Sequence, residues 1–218
     1  MSDFSAEPTA TQTDEELAEI VLDLAQGSFI EHGFRGTKME HLAKRAGVSV
    51  GQLYHVFANK QALYVAVHER AQRTFMTEYL EPAYALDPGE GGAIAHFAAI
   101  ARAYLRFYID HREMGPLLMT VGQEDQHEES IERLQRDMSS RVLSGLARLH
   151  QIVVDGVASG EVRADINPDE VIRWYWGGFY GVLALNLRHP SAALDDEALE
   201  RVVEVGLESI TALLRPSA

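Results

Sequence analysis

The chain has 218 residues, 46% hydrophobic and 24% charged, with no cysteine and a formal net charge of −14. These are the proportions of a folded globular protein, so a disordered or collagen-like chain is excluded, and the missing thiols exclude disulfides, thiolate metal sites and cysteine nucleophiles together. No run of ~18 uncharged apolar residues is present and the N-terminus lacks the basic-then-apolar order of a signal peptide, so a cytoplasmic protein with no membrane partner is expected.

The charge is unevenly distributed. Residues 1–26 carry −7, residues 27–70 carry +3 and residues 71–218 carry −10, and all three lysines lie between positions 38 and 60. A basic island in an acidic chain is what contact with phosphates requires.

In chain order, residues 1–13 are small, polar or acidic and without apolar period, and read as a mobile acidic tail. Thr13 and Glu16 have capping-box spacing; Leu17, Ile20, Val21, Leu24 and Phe29 then share a helical face until Gly33, which suits a left-handed stop. Thr37 and Glu40 repeat the spacing ahead of Met39, Leu42, Ala43 and Ala46, and that short helix ends at Gly47. Ser49 and Gln52 repeat it again, ahead of Leu53, Val56 and Phe57. Asn59 caps a longer helix running toward Tyr79. Beyond Pro82, a helix carrying Phe97, Ile100, Tyr104 and Phe107 or Tyr108 should stop before Gly115-Pro116. The short apolar piece Leu117–Val121 follows, then the run Glu124–Glu129, read as a solvated acidic loop and not a metal site. The clearest amphipathic helix runs from Ile131 through Val157 to Gly160. Asn167-Pro168 opens a helix lasting to Pro190. Asp195 opens the last, with Val203, Leu207, Ile210 and Leu214 on one face. No segment alternates with period two, so the expectation is an all-α chain of about nine helices. Residues 14–58 form a first domain and 59–218 a second.

The pair of short capped helices from Thr37 to Val56, joined by Ala-Gly-Val-Ser, is the sequence image of a helix-turn-helix, whose second helix enters the major groove by its N-terminal end. Residues near the groove floor must be short or polar. Ser49, Val50, Gly51 and Gln52 occupy that end; Gly51 lets the backbone approach DNA, and a Gln amide makes a bidentate bond to adenine. The same Gln52 amide is also the capping group for Ser49, so it caps in the free protein or reads in the bound one. Thr37, Lys38, Tyr54, His55 and Lys60 are placed to reach phosphates.

The stretch from Ile20 to Val67 resembles the DNA-binding domain of the tetracycline-repressor (TetR) family. The resemblance rests on Phe29, Gly33-Phe34, Thr37, Leu42-Ala43, Ala46-Gly47-Val48-Ser49, Gly51, Leu53-Tyr54, Phe57, Lys60 and Leu63. It covers about a quarter of the chain. Val50 and Val56 depart from the polar or aromatic residues frequent at those places. The resemblance implies a three-helix DNA-binding head, a C-terminal domain for ligand binding and dimerisation, a homodimer on a pseudo-palindromic operator, and repression relieved by a small molecule. No cofactor is expected.

In the C-terminal part, Tyr104, Phe107, Tyr108, Met114, Met119, Trp174 and Tyr180 are expected to line a chamber for an apolar or aromatic ligand. Arg102, Arg106 and His150 read either as partners for a ligand carboxylate or as surface ion pairs. Glycines inside a helix cost ~1 kcal/mol each relative to Ala, and Gly178 and Gly181 with Leu185 make a smooth stripe for close helix approach. With Val203, Leu207 and Ile210 they form the expected dimer interface. No Gly-x-Ser-x-Gly elbow, phosphate loop or His-Glu-x-x-His helix is present, so no enzyme is expected. The competing reading is an all-helical carrier or enzyme whose N-terminal motif only packs.

Overall fold

The computed structural model describes residues 13–86, 91–115, 129–189, 191 and 193–216. The expected acidic tail (but for Thr13), the Leu117–Val121 piece, most of the acidic loop and Met119 lie outside the described residues. Among those described there is no strand, and no helix is long and apolar enough to cross a membrane. The α-helices are α1 (Asp14–Gly36), α2 (Met39–Ala46), α3 (Val50–Val56), α4 (Lys60–Thr74), α5 (Glu81–Tyr84), α6 (Gly92–Asp110), α7 (Glu129–Ser159), α8 (Pro168–Arg188) and α9 (Asp196–Leu214). The all-α reading with about nine helices is met.

The described residues form two compact units that divide between His68 and Glu69. The division falls later than position 58 because Leu63, Tyr64 and Val67 of α4 are buried in the first unit, where the Tyr64 ring stands edge-on to both Phe29 and Phe34.

In the first unit, the Thr13–Glu16 capping box forms and starts α1. Gly33 takes φ 67° and kinks the helix, as its missing Cβ allows. The Thr37–Glu40 box does not form: the N-cap of α2 is Lys38, without a side-chain cap bond. The kink leaves the Gly33 carbonyl to be satisfied, and Thr37 does so twice, through its backbone N–H at 3.2 Å and its hydroxyl at 2.9 Å. Gly47 ends α2 in the left-handed conformation, and the Val48 amide returns to the Ala43 carbonyl at 3.0 Å, a Schellman-type closure. Leu17, Val21, Phe29, Leu42 and Leu53 fill the core between the three helices.

In the second unit, α6, α7, α8 and α9 surround a core of Phe97, Phe107, Leu149, Val153, Phe179 and Leu183. Three arginines of α6 and its C-terminal turn pair with carboxylates of α9. Arg102 grips Glu204 through two bonds of 2.6 and 2.8 Å, Arg106 reaches Glu200, and Arg112 meets Asp196. Between α4 and α5 the helix widens into a π-helical turn, Phe75–Leu80. Pro82 has no N–H and its ring crowds the carbonyl one turn back, which disfavours regular α-helix just before it.

Candidate nucleic-acid interface and ligand cavity

The recognition-helix candidate is α3. Its N-terminus is closed reciprocally: the Gln52 amide nitrogen of the backbone donates to Ser49 Oγ at 3.2 Å, while Gln52 Oε1 accepts from the Ser49 backbone N–H at 2.9 Å and from its hydroxyl at 3.0 Å. This is the capping alternative of the two open to Gln52. Oε1 is therefore occupied, and the side-chain NH2 is the part of Gln52 left to meet a base. Gly51, Tyr54 and His55 are exposed on the same short helix and Val50 is half-buried. A Cβ on Gly51 would have only Ser49 Oγ near it, at 3.9 Å, so room for a side chain exists in the free chain and any constraint on this glycine comes from a partner's approach. His55 Nε2 stands 3.6 Å from an Asp14 carboxylate oxygen, which ties the start of α1 to the outer face of α3.

Two residues expected at phosphates have other engagements. Thr37 is 1% exposed, and its hydroxyl also meets that of Ser28 at 3.0 Å. Lys60 is half-buried; its ammonium donates to the carbonyls of Phe34 at 2.8 Å and Thr37 at 3.1 Å and lies 4.4 Å from the centre of the Phe34 ring. Both residues close the end of α1 from within. Lys38, at the start of α2, is exposed as expected. Lys44 and Arg45, in the last turn of α2, are also exposed; among the described residues no ion pair engages any of these three cations. The local charge count contained Lys44 and Arg45 without singling them out.

The second unit holds a cavity of about 280 Å³ between the π-helical turn, α6, α7 and α8. Tyr104, Tyr108 and Tyr180 line it, as their spacing suggested. Phe107 is fully buried in the core behind it, in tilted or edge-on contact with the rings of Phe75, Tyr79 and His111. Met114 packs against the core and is not a wall of the cavity. Trp174 is 65% exposed; its neighbour Trp176 lines the cavity instead. Two positions along a helix differ by ~200°, so only one of the two indoles faces inward. Sequence reasoning missed the residues that complete the walls: Gln72, Phe75, Met76, Leu80 and Tyr84 before α6, and Met138, Arg141, Leu146 and Arg148 on α7.

Burial disfavours ionisation of Tyr104 and Tyr108. Tyr104 and Tyr108 stack with ring centres 5.3 Å apart, and Trp176 meets Tyr104 edge-on at 5.2 Å. Burial, then the neighbouring Tyr108 phenol, pushes the Tyr104 phenol well above its ordinary value; burial pushes Tyr108 up to about 12. Arg102, Arg106 and His150 take their carboxylate partners from within the chain, Glu204, Asp110 with Glu200, and Asp169 respectively.

The expected dimer residues divide between two faces. Gly178, Gly181 and Leu185 are on the outward side of α8, where a Cβ on either glycine would meet nothing within 4 Å, and Leu185 is 54% exposed. Val203, Leu207 and Ile210 are buried in the core of this same chain and are corrected to intrachain packing. The opposite side of α9 presents Val202, Val205 and Leu213 outward, with Gly206 open beside them.

The first unit is a three-helix head whose capped third helix is exposed after a left-handed turn, the geometry of a helix-turn-helix, and the second is a helical unit with an apolar cavity. Residues 21–67 match the family described as bacterial regulatory proteins, tetR family. The HTH-type transcriptional regulator RutR of Escherichia coli O157:H7 is 28% identical over 158 residues, 72% of this chain and 68% of that one. Among solved structures, the MbdR regulator from Azoarcus sp. CIB superposes with a TM-score of 0.70 at 22% identity, covering 88% of this chain and 96% of that one. AibR, in complex with isovaleryl coenzyme A and operator DNA, gives 0.66 at 16% identity, covering 93% and 100%. The family match thus covers the head, residues 21–67, and the two solved structures share the fold of the longer chain.

Proposed function

We propose that this protein is a transcriptional repressor that binds a pseudo-palindromic operator as a homodimer and is released by a small, largely apolar effector. The observation that carries the reading is the α2–turn–α3 unit, with the outer face of α3 exposed and Lys38, Lys44 and Arg45 exposed on the element before it. Phosphate contacts from these cations position the head, and α3 supplies the contacts that specify sequence. AibR, bound to both an acyl-coenzyme A and operator DNA, supports a fold of this kind serving both partners.

The second copy is assigned to the outward stripes of α8 and α9. Trp174, Gly178, Gly181 and Leu185 on α8 repeat at the spacing of Val202, Gly206, Ser209 and Leu213 on α9, each a single helical face. Adjoining apolar stripes of this kind suit a four-helix seam, and two-fold symmetry then sets two heads on two half-sites about 34 Å apart. Effector in the cavity bears on Gln72 and Phe75, at and just beyond the end of α4. Since α4 begins in the head, a shift there alters the separation of the heads, and the operator-bound population falls.

Selection of bound sequences from a random duplex pool with the purified full chain tests the reading. A palindromic consensus is expected. Absence of enrichment at both low and moderate salt would contradict it and favour the carrier reading.

A further inference from the structure

The cavity's charge is the reverse of the protein's. Residues 71–218 carry a net −10, yet the described residues lining the cavity include no Asp or Glu and two arginines, Arg141 and Arg148, both from α7. Six arginines of this unit, Arg102, Arg106, Arg112, Arg136, Arg163 and Arg201, each have a carboxylate partner. Among the described residues no ion pair engages Arg141 or Arg148. Arg148 is instead laid over the Tyr84 ring, 4.5 Å from its centre, which holds a guanidinium at the cavity wall without neutralising it.

A second observation marks the cavity as a site for a ligand with polar groups. Gln72 is 7% exposed and lines the cavity, and no hydrogen bond within the described residues engages its side-chain amide. The amide therefore faces the cavity as a polar group on an otherwise largely apolar wall, where a polar atom of a ligand can meet it.

We propose that the effector is a hydrophobic organic monocarboxylate, its carboxylate held by Arg141 and Arg148 and its body against Tyr104, Tyr108 and Trp176. This rests on the reading of the cavity as the effector site and deepens it by naming the ligand's charge. A planar carboxylate matches the guanidinium fork, and a neutral isostere does not. The volume of about 280 Å³ lies near the lower limit for drug-sized ligands, which favours a medium-length or single-ring acid.

The test is isothermal titration calorimetry on the full-length protein with two matched pairs, octanoate against octanamide and 4-phenylbutyrate against 4-phenylbutyramide. At least one acid is expected to bind about ten- to a hundredfold more tightly than its amide, the span of hydrogen bonds to a charged group. In R141M/R148M, which keeps the aliphatic stems on an exposed helix face, the preference is expected to fall to within about twofold, and R148K to restore part of it. Equal binding of acid and amide in the wild type, or an unchanged preference in the double variant, overturns the proposal while leaving the cavity as the effector site. Binding of no member of either pair removes that reading of the cavity, and the proposal with it.

Discussion

The ammonium of Lys60 donates to the carbonyl of Phe34 at 2.8 Å while standing over the ring of the same residue. One cation thereby ties the first turn of α4 to the end of α1, and accepts a position in which the same charge is drawn inward from the surface. Lys60→Met is expected to lower the stability of the head by about 1.5–3 kcal/mol, the range for hydrogen bonds to a charged group, measured by urea denaturation. It is also expected to leave the salt dependence of DNA binding unaltered. A phosphate contact would instead take ~0.9 from the log–log slope for each head, so a shallower slope in this variant would restore Lys60 to the interface.

Ser49 and Gln52 hold the start of α3 reciprocally. Ser49→Ala is expected to cost about 0.5–2 kcal/mol, read from the denaturation midpoint, with loss of binding to every sequence alike. Gln52→Ala is expected to relax preference at one base step, because the side-chain NH2, not engaged by the cap, meets a base edge on binding. Tyr54→Phe should weaken all duplexes equally. Equal weakening by Gln52→Ala across all sequences would reduce Gln52 to a cap alone.

The outward stripe of the last two helices predicts how the dimer fails. Val205 is 63% exposed and Leu185 54%, so Val205→Arg and Leu185→Arg leave the fold of each chain intact and are expected to give monomers in sedimentation equilibrium. Leu207 is 1% exposed, and Leu207→Ala is expected to act differently. It should destabilise the chain by about 2–5 kcal/mol, as core truncations do, with a dimer persisting where the chain is folded.

The cavity tyrosines predict an alkaline limit. In the unfolded chain a tyrosine loses its proton near ~10, whereas burial holds Tyr108 protonated up to about 12 and Tyr104 beyond the ordinary range as well. Above pH 10 the unfolded state therefore binds fewer protons than the folded one, and stability falls as pH rises. Denaturation midpoints should be flat from pH 7 to 9 and decline between pH 10 and 12, and Tyr108→Phe should soften that decline.

The features legible in the sequence are those fixed by neighbours along the chain. The capping boxes at Thr13 and Ser49, the positive φ at Gly33 and Gly47, and the cap at Asn167 each depend on residues within about four positions. What was misread depends on which way a helix turns its second apolar face. The last helix carries one apolar row through Val203, Leu207 and Ile210 and another through Val202, Val205 and Leu213; the row of more regular spacing is the one this chain buries in itself, leaving the other for a partner. Trp174 and Trp176 pose the same problem two residues apart. Lys60 shows the remaining kind of miss, since its partners lie 26 and 23 positions away and no local pattern announces them. Thr37 belongs with it: capping-box spacing was present at Thr37 and Glu40, but the kink at Gly33 offered the hydroxyl a closer acceptor.

Fluorescence-anisotropy titration of a labelled duplex carrying the selected consensus, repeated over a series of salt concentrations, tests the central claim most directly. The account predicts two chains per duplex and a log–log salt slope of about −5, from Lys38, Lys44 and Arg45 of each head at ~0.9 per phosphate. It also predicts affinity at least a thousandfold above that for a scrambled duplex. A slope near zero, or equal affinity for consensus and scrambled sequences, would contradict it.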